Sequence, residues 1–443
     1  MKVEATPSAS ELLAQVSDFL RDRLEVIKQR REIEEVSLLS LAGRILAEDI
    51  HSSVNLPRFR RAMMDGVAVD YRRLSEGYHS LLSCEDRKTV DLLEMPLVYP
   101  VATGSSMPDK MDTVVPREHL VYVPAPAGLD PKFQYIKTPR LETVQQGQHV
   151  AQIGEDVAKG RRILSRGRVV RAQDLGLLSA CGIAGAKVLQ KPRVAVGLTG
   201  DEIAKPGHDL DGDQVHDANG PVLTTLLLRD GARLVATEYL ADDPDAIQTF
   251  LQRNDIDILL LCGGTSVGPR DFAVEILRSI GTVAFHGLPL RPGRPVGIGS
   301  TPCASVFLLP GNPIACQFTY DLLVGPLVRG AAGRSVDWPY SRALVHLSEA
   351  VASQRGRLDY LRVVRTERRV VAGGFELGRM GPSALNGTTS RTADGPPVLV
   401  RPLTSGKASN LTSVSEADGF VLVPIDAERL LPNEPVECYW YDC

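Results

Sequence analysis

The chain has 443 residues, too many for one ordinary core and enough for two to four domains. Its formal net charge is −4, which argues against a nucleic-acid protein, since such a protein usually carries a basic field. Seven cysteines, at 84, 181, 262, 303, 316, 438 and 443, are odd in number and form no CxxC pair, so neither a disulfide framework nor a zinc site is expected. The N-terminus MKVEATPSASELLAQV lacks the apolar stretch of a signal peptide, and no window is apolar for long enough to span a bilayer. Those features point to the cytoplasm.

Taken in order, Ser8 to Leu20 places Leu12, Leu13, Val16, Phe19 and Leu20 on one helix face, and Ser8 with Glu11 fits a capping box. Charged residues run on to Glu35 and read as a solvated helical stretch. From Asn55 to Arg140, short runs (VAVDY, TVDLLEM, PLVYPVA, TVVP, LVYV, FQYI) are broken by Gly, Pro and Asp, the texture of a mostly β unit. Gly154 to Val188 returns to mixed structure, with DLGLLSACGI helical. At Arg193 a regular alternation begins. RVAVGL, ARLVATEYL, IDILLLC and SVFLLP read as strands. NGPVLTTLLLRDG, DDPDAIQTFLQRN, RDFAVEILRSIG and NPIACQFTYDLLVGPLV read as helices, with Gly231 ending the first and acidic residues opening the second. This is an α/β unit with a largely parallel sheet. After Gly333 the pattern is β-rich to the end.

In an open parallel sheet, ligands bind outside the carboxyl ends of strands. Three polar loops follow strands here: TGDE at 199–202, CGGTSVGPRD at 262–271 and LPGNP at 309–313. Their glycines allow close backbone approach, so exposed amides can face an anion. Asn312 and Pro313 suit an N-cap and first helical position, and Thr265 and Ser266 add hydroxyl donors. The pattern points to phosphate or a similar oxyanion; the bland alternative is a set of tight strand-to-helix turns. There is no GK[ST] and no GxGxxG, so neither a Walker A loop nor a dinucleotide fingerprint is present. Asp201, Glu202, Asp242, Asp243 and Asp271 accompany the loops, and carboxylates beside phosphate suggest a divalent cation. For Asp242, Asp243 and Asp271, helix capping is the other reading. Arg291 and Arg294 in LRPGRPVGIG suit an oxyanion clamp or, more simply, an exposed turn.

The ordered set of motifs resembles the MoeA family, the molybdopterin molybdenumtransferases, related to the E domain of gephyrin. LAGRILAEDI (41–50), LPRFRRAMMDGVAVD (56–70), VATGSSMPDKMDTVVPREHL (101–120) and IGEDVAKG (153–160) come first. TGDEI, VHDANG, GGTSVGPRD, LRPGRPVGIG and LPGNPIA follow. The resemblance implies a multidomain α/β fold with a MogA-like three-layer α/β domain. The expected domains are an elongated, discontinuous N-terminal domain (1–55 plus 141–190), an inserted β-rich domain (56–140), the MogA-like domain (191–335) and a C-terminal β-barrel-like domain (336–443). It implies insertion of molybdate into adenylylated molybdopterin with release of AMP, assisted by Mg2+, in a homodimer. The partners implied are a MogA-like adenylyltransferase and apo-molybdoenzymes or their chaperones, with no nucleic acid and no membrane. Catalytic positions carried over are Asp65, Asp156, Glu202, Asp242 and Asp271, with Glu202 and Asp271 nearest the metal. Cofactor-binding positions are Thr103, Thr199, Gly200, Gly263, Gly264, Ser266, Gly268, Arg291, Arg294, Pro310, Gly311, Asn312, Pro313 and Ser413.

The chain departs from the family pattern in places. KPGKP is RPGRP here, a further lysine is Gly287, and Met63 and Val67 flank the MDG in place of a small residue and an aromatic. Arginine keeps the charge but as a planar fork rather than a point. These changes keep a second expectation open: a paralogue that binds or delivers the pterin, or acts as a scaffold, without inserting metal.

Overall fold

The apolar runs that follow Arg193 become a six-stranded sheet in the order Arg233–Leu240, Arg193–Thr199, Ile258–Cys262, Ser305–Leu309, Gly297–Ser300, Thr282–His286. The first four strands are parallel and the last two extend the sheet antiparallel. Ile258–Cys262 and Ser305–Leu309 are buried along their whole length, as strands covered on both faces must be, whereas the edge strand Arg233–Leu240 alternates between exposed and half-buried. The computed structural model describes residues 7–73, 79–81, 97–124, 134–137, 143–264, 272–366, 398–403 and 411–441. They fall into two units, residues 33–189 and residues 1–32 with 190–443.

In the larger unit, local chemistry sets the helix ends. Ser8 and Glu11 form the expected capping box on helix Ala9–Gln29, whose Val16 and Ile27 enter the α/β core. Gly231, at φ 95°, ends helix Asn219–Asp230. Asp243 caps helix Pro244–Leu251 through Ala246 N (3.0 Å). Asn312 caps Pro313–Thr319, with Pro313 in the first turn, and one wider turn, Tyr320–Val324, carries the chain into Gly325–Ala331. Beyond it, Ser341–Leu347, Leu399–Pro402, Leu358–Arg365, Gly419–Val423 and Pro435–Trp440 pair in turn and close on themselves as a five-stranded barrel. Closure uses most of the strand edges, and the start of Leu358–Arg365 is covered by pairing with Leu290–Arg291.

A buried charge network joins the helices of this unit to the start of the barrel. Asp230 and Asp321 are 1% and 0% exposed. Asp230 accepts from Arg229 (3.0 Å), Arg329 (3.0 Å) and the Tyr320 hydroxyl (3.0 Å). Asp321 accepts from Arg229 (3.1 Å) and the Tyr340 hydroxyl (2.9 Å), while its carbonyl accepts from Trp338 Nε1 (2.7 Å). Burial raises the Asp321 pKa and Arg229 opposes that shift.

The smaller unit is mostly β. Thr113–Pro116, Gly66–Val69, Leu97–Val101, His79–Leu81, Gln134–Lys137 and Val121–Val123 form a mixed six-stranded sheet, and short ribbons pair Ile33–Ser37 with Gly185–Leu189, Ile50–His51 with Arg162–Leu164, and Arg61–Ala62 with Val150–Ala151. The run TVDLLEM lies outside the described residues.

Both tryptophans, Trp338 and Trp440, belong to the larger unit, so their fluorescence follows its unfolding alone. Asp321→Ala removes one buried partner of Arg229 and Tyr340 and is expected to cost about 3 kcal/mol, read as a lower denaturant midpoint of tryptophan fluorescence. An unchanged midpoint would show that the network adds nothing to stability.

Candidate functional site

Strand order decides where polar groups can gather. From Arg193–Thr199 the chain crosses to Arg233–Leu240 on one side and then to Ile258–Cys262 on the other. The crossovers therefore part between the first and third of these strands, the usual place for a ligand in such a sheet. There the backbones of the two loops nearly touch. A Cβ built on Gly263, whose φ is 99°, would stand 2.3 Å from the Thr199 carbonyl oxygen. Only glycine fits that position. Gly311 joins them, its built Cβ 3.7 Å from the Gly263 Cα. Thr199, Gly200, Gly263, Gly264 and Pro310 to Pro313 are thus brought to one edge. Ser266, Gly268 and Asp271, from the same loop, lie outside the described residues.

The carboxylates divide by role. Asp243 is a helix cap, and Asp242 is not: it accepts from the Thr199 hydroxyl (2.6 Å), and its own N–H donates to Asp201 (3.2 Å). Glu202 is exposed and folds back over Gly200, its two carboxylate oxygens 2.8 Å from where a Cβ would stand. Among the described residues no three His, Cys, Asp or Glu side chains are grouped as a metal cluster.

Three residues at this edge were not singled out from the sequence. Asp217, 7% exposed, accepts from Asn219 N (2.8 Å), Gly220 N (2.9 Å) and the Tyr239 hydroxyl (2.9 Å). Burial first, then Asp217, pushes the Tyr239 phenol up to about 12. Asn219, also 7% exposed, donates its side-chain N–H to the Gly311 carbonyl (2.8 Å). The segment VHDANG was legible only as part of a motif order; the contact spans 92 residues.

The two arginines of RPGRP differ. Leu290–Arg291 pairs with the barrel strand Leu358–Arg365, and Arg291 is bound by the Asp359 carboxylate, itself 4% exposed and also hydrogen-bonded by Ser353 Oγ (2.7 Å). Arg294 is exposed and has no ion-pair partner among the described residues. Gly287 has a φ of 80°. In the barrel, Ser413 is buried and accepts from Arg362 Nη1 (2.6 Å). Arg362 is 8% exposed, its Nε has no hydrogen-bond partner, and no carboxylate pairs with it among the described residues. Burial lowers its pKa. A buried cation without a counter-charge suits an oxyanion.

In the smaller unit, Asp65 Oδ1 accepts from both the N–H (2.6 Å) and the hydroxyl (2.9 Å) of Thr103. Those two bonds, the backbone one foremost, hold Asp65 below the usual carboxylate range. Asp156 is exposed; its N–H donates to the Leu56 carbonyl (3.0 Å), and its own carbonyl accepts from Arg161 (2.8 Å). Met63 is 54% exposed, whereas Val67 is buried in the sheet core.

An α/β domain with its polar loops gathered at a switch point, followed by a closed barrel, defines the class: a multidomain α/β protein whose ligand site lies at the carboxyl edge of its parallel sheet. A sequence model described as “MoeA N-terminal region (domain I and II)” matches residues 10–182, and one described as “Probable molybdopterin binding domain” matches residues 195–330. A Haemophilus influenzae protein named molybdopterin molybdenumtransferase is 30% identical over 352 residues, covering 76% of this chain and 83% of that one. A solved structure of the molybdopterin biosynthesis MoeA protein from Pyrococcus horikoshii is 28% identical, covers 96% of this chain and 99% of its own, and superposes with a TM-score of 0.69. A second structure from that organism, 21% identical over 95% of this chain and 99% of its own, shares the fold at a TM-score of 0.61. The chain belongs to the MoeA family of molybdopterin molybdenumtransferases.

The Asp65 shift makes a pH prediction. Because the folded pKa is depressed, the stabilisation is present above the ordinary carboxylate pKa and is lost as pH falls through the lowered value. Thr103→Val deletes one of the two bonds and keeps the backbone N–H. The Asp65 pKa, followed by carbon-detected NMR titration, is expected to rise yet stay below the ordinary range; no change would exclude the hydroxyl as a contributor.

Proposed function

We propose that this chain is the transferase of molybdenum cofactor biosynthesis that places molybdate on the dithiolene sulfurs of adenylylated molybdopterin, cleaving the pyrophosphate bond and releasing AMP. The observation that carries the reading is the gathering of Thr199, Gly200, Gly263, Gly264 and Pro310 to Pro313 at one sheet edge, in a member of this family. The backbone N–H groups of Gly200, Gly264, Gly311 and Asn312 are assigned to the pterin phosphate, together with Ser266 and Gly268 of the loop that follows Gly264. Arg294, and Arg362 with Ser413, are assigned to oxyanion binding. Asp65, Thr103 and Asp156 are assigned to substrate in a homodimer.

Magnesium suits the donors at hand. Glu202 and Asp242 offer hard carboxylate oxygens at this edge, the donor type that magnesium takes. Glu202, Asp242 and Asp271 would hold it, and the ion would offset charge on the phosphate as AMP departs. The Thr199 hydroxyl fixes the direction of one Asp242 oxygen. A MogA-like adenylyltransferase would supply the substrate, and apo-molybdoenzymes or their chaperones would receive the product. No helix of the described residues is long and apolar enough to cross a membrane, and a cytoplasmic location accords with that. The scaffold alternative rests on Met63, Val67, Gly287, Arg291 and Arg294, and the retained carboxylates weigh against it.

The test is AMP release by the purified protein with molybdate and magnesium, coupled to activation of an apo-molybdoenzyme. Wild type is expected to support both. Glu202→Gln is expected to keep its melting temperature, because the side chain is exposed, and to lose at least about 100-fold in AMP release. Ligand binding by wild type without AMP release would instead support the scaffold reading.

A further inference from the structure

The turn Pro310–Asn312 shows an unusual division between its carbonyls and its amides. All three carbonyls are held from within. Pro310 O accepts from the Cys262 thiol (3.5 Å), Gly311 O from the Asn219 side chain (2.8 Å), and Asn312 O from Cys316 N (2.8 Å). The Asn312 side chain is likewise committed, accepting from Ile314 N (3.1 Å) and Ala315 N (3.3 Å). Among the described residues, neither the Gly311 nor the Asn312 N–H donates to a protein acceptor. Holding a carbonyl inward turns the next amide outward, because the two lie on opposite edges of one rigid peptide plane.

Of these three anchors, Cys316 lies in the helix that follows the turn, and Cys262 ends the neighbouring strand Ile258–Cys262. The third, Asn219, comes from a different crossover, and its own orientation is fixed. Its backbone N–H is held by Asp217, which is held in turn by Tyr239. Asp217 also places a carboxylate at the first turn of helix Asn219–Asp230, so that helix start already has its negative charge and does not compete for an anionic ligand.

We infer that Asn219 is a positioning residue for the transferase reaction: by pinning the Gly311 carbonyl, it aims the Asn312 amide at an oxyanion of the phosphorylated substrate, beside the Gly311 amide that the Cys262–Pro310 contact turns outward. This rests on the function proposed above. Asn219 touches no substrate; it acts through the turn.

The decisive variant is Asn219→Asp, which keeps the shape and exchanges the amide donor for a carboxyl. Ionised, the new side chain repels the Gly311 carbonyl; protonated, it donates a hydrogen bond to it. The surroundings fix the sign. Asp217 lies beside it, Tyr239 is protonated at working pH, Lys205 lies 5.2 Å over the Tyr239 ring, and the Cys262 and Cys316 side chains are beneath the turn. Burial and the Asp217 charge both raise the pKa of the new carboxyl. The ratio of Asn219→Asp to wild-type kcat/KM for AMP release is therefore expected to be about 0.1 or less at pH 8, where a hydrogen bond is lost, and to climb toward 1 as pH falls to 5. Asn219→Ala is expected to show a similar loss that does not vary with pH.

Hydrogen exchange measured by mass spectrometry on peptides spanning 309–319 reads the pinning without substrate. Exchange is expected to quicken in Asn219→Ala while peptides of the smaller unit stay unchanged. A flat Asn219→Asp ratio across pH 5 to 8, or unaltered exchange in Asn219→Ala, would falsify the positioning role in an otherwise active enzyme. A wild type that releases no AMP would overturn the functional reading, and with it the assignment of this turn to substrate.

Discussion

Parallel strands all end on the same edge, and that constraint governs the α/β unit. Its central strands are covered on both faces and apolar but for Ser305 at the start of one, so they offer little place for a polar side chain along their length. Polar groups collect where the strands stop. The crossover pattern then puts the ends of Arg193–Thr199 and Ile258–Cys262 side by side, and the near contact of Gly263 with the Thr199 carbonyl follows from that adjacency. A side chain at Gly263 would force the two strand ends apart, which the ladder below them opposes.

The closed barrel is coupled to the α/β helices by means of different physical character. One is the buried set of Asp230, Asp321, Arg229 and Arg329, whose members satisfy one another's charge. Another is aromatic: Phe420 packs against Trp338, Tyr340, Tyr360, Tyr439 and Tyr441, although aromatics make up only 5% of the chain. A third is the pairing of Leu290–Arg291 with the barrel strand, reinforced by Arg291 and Asp359. Arg291 is thereby drawn into holding the unit together, leaving Arg294 as the cation of that turn without an ion-pair partner among the described residues.

Local signals in the sequence were legible because their physics is local. Ser8 with Glu11, Gly231, and Asn312 with Pro313 each act within a few residues, and each ends or starts a helix as its type requires. The strand–helix alternation likewise gave the parallel sheet. Long-range partners left no such trace. Nothing near Arg291 announces Asp359, nothing near Asn219 announces Gly311, and the first helix gives no sign that Val16 and Ile27 enter a core built mostly from residues beyond 190. Asp242 and Asp243 are adjacent and chemically identical, so only the fold separates the one held by Thr199 from the one that caps a helix.

Gly287 sets a limit on what side chain this turn can carry. Its backbone stands at φ 80°, and a built Cβ meets nothing nearer than the Arg294 carbonyl at 4.0 Å, so space is available and conformation is not. A lysine placed there would carry a penalty of about 1–2 kcal/mol from the left-handed backbone alone. A cation is therefore carried with less backbone strain by Arg291 and Arg294, neither of which stands at positive φ, than by any side chain at 287.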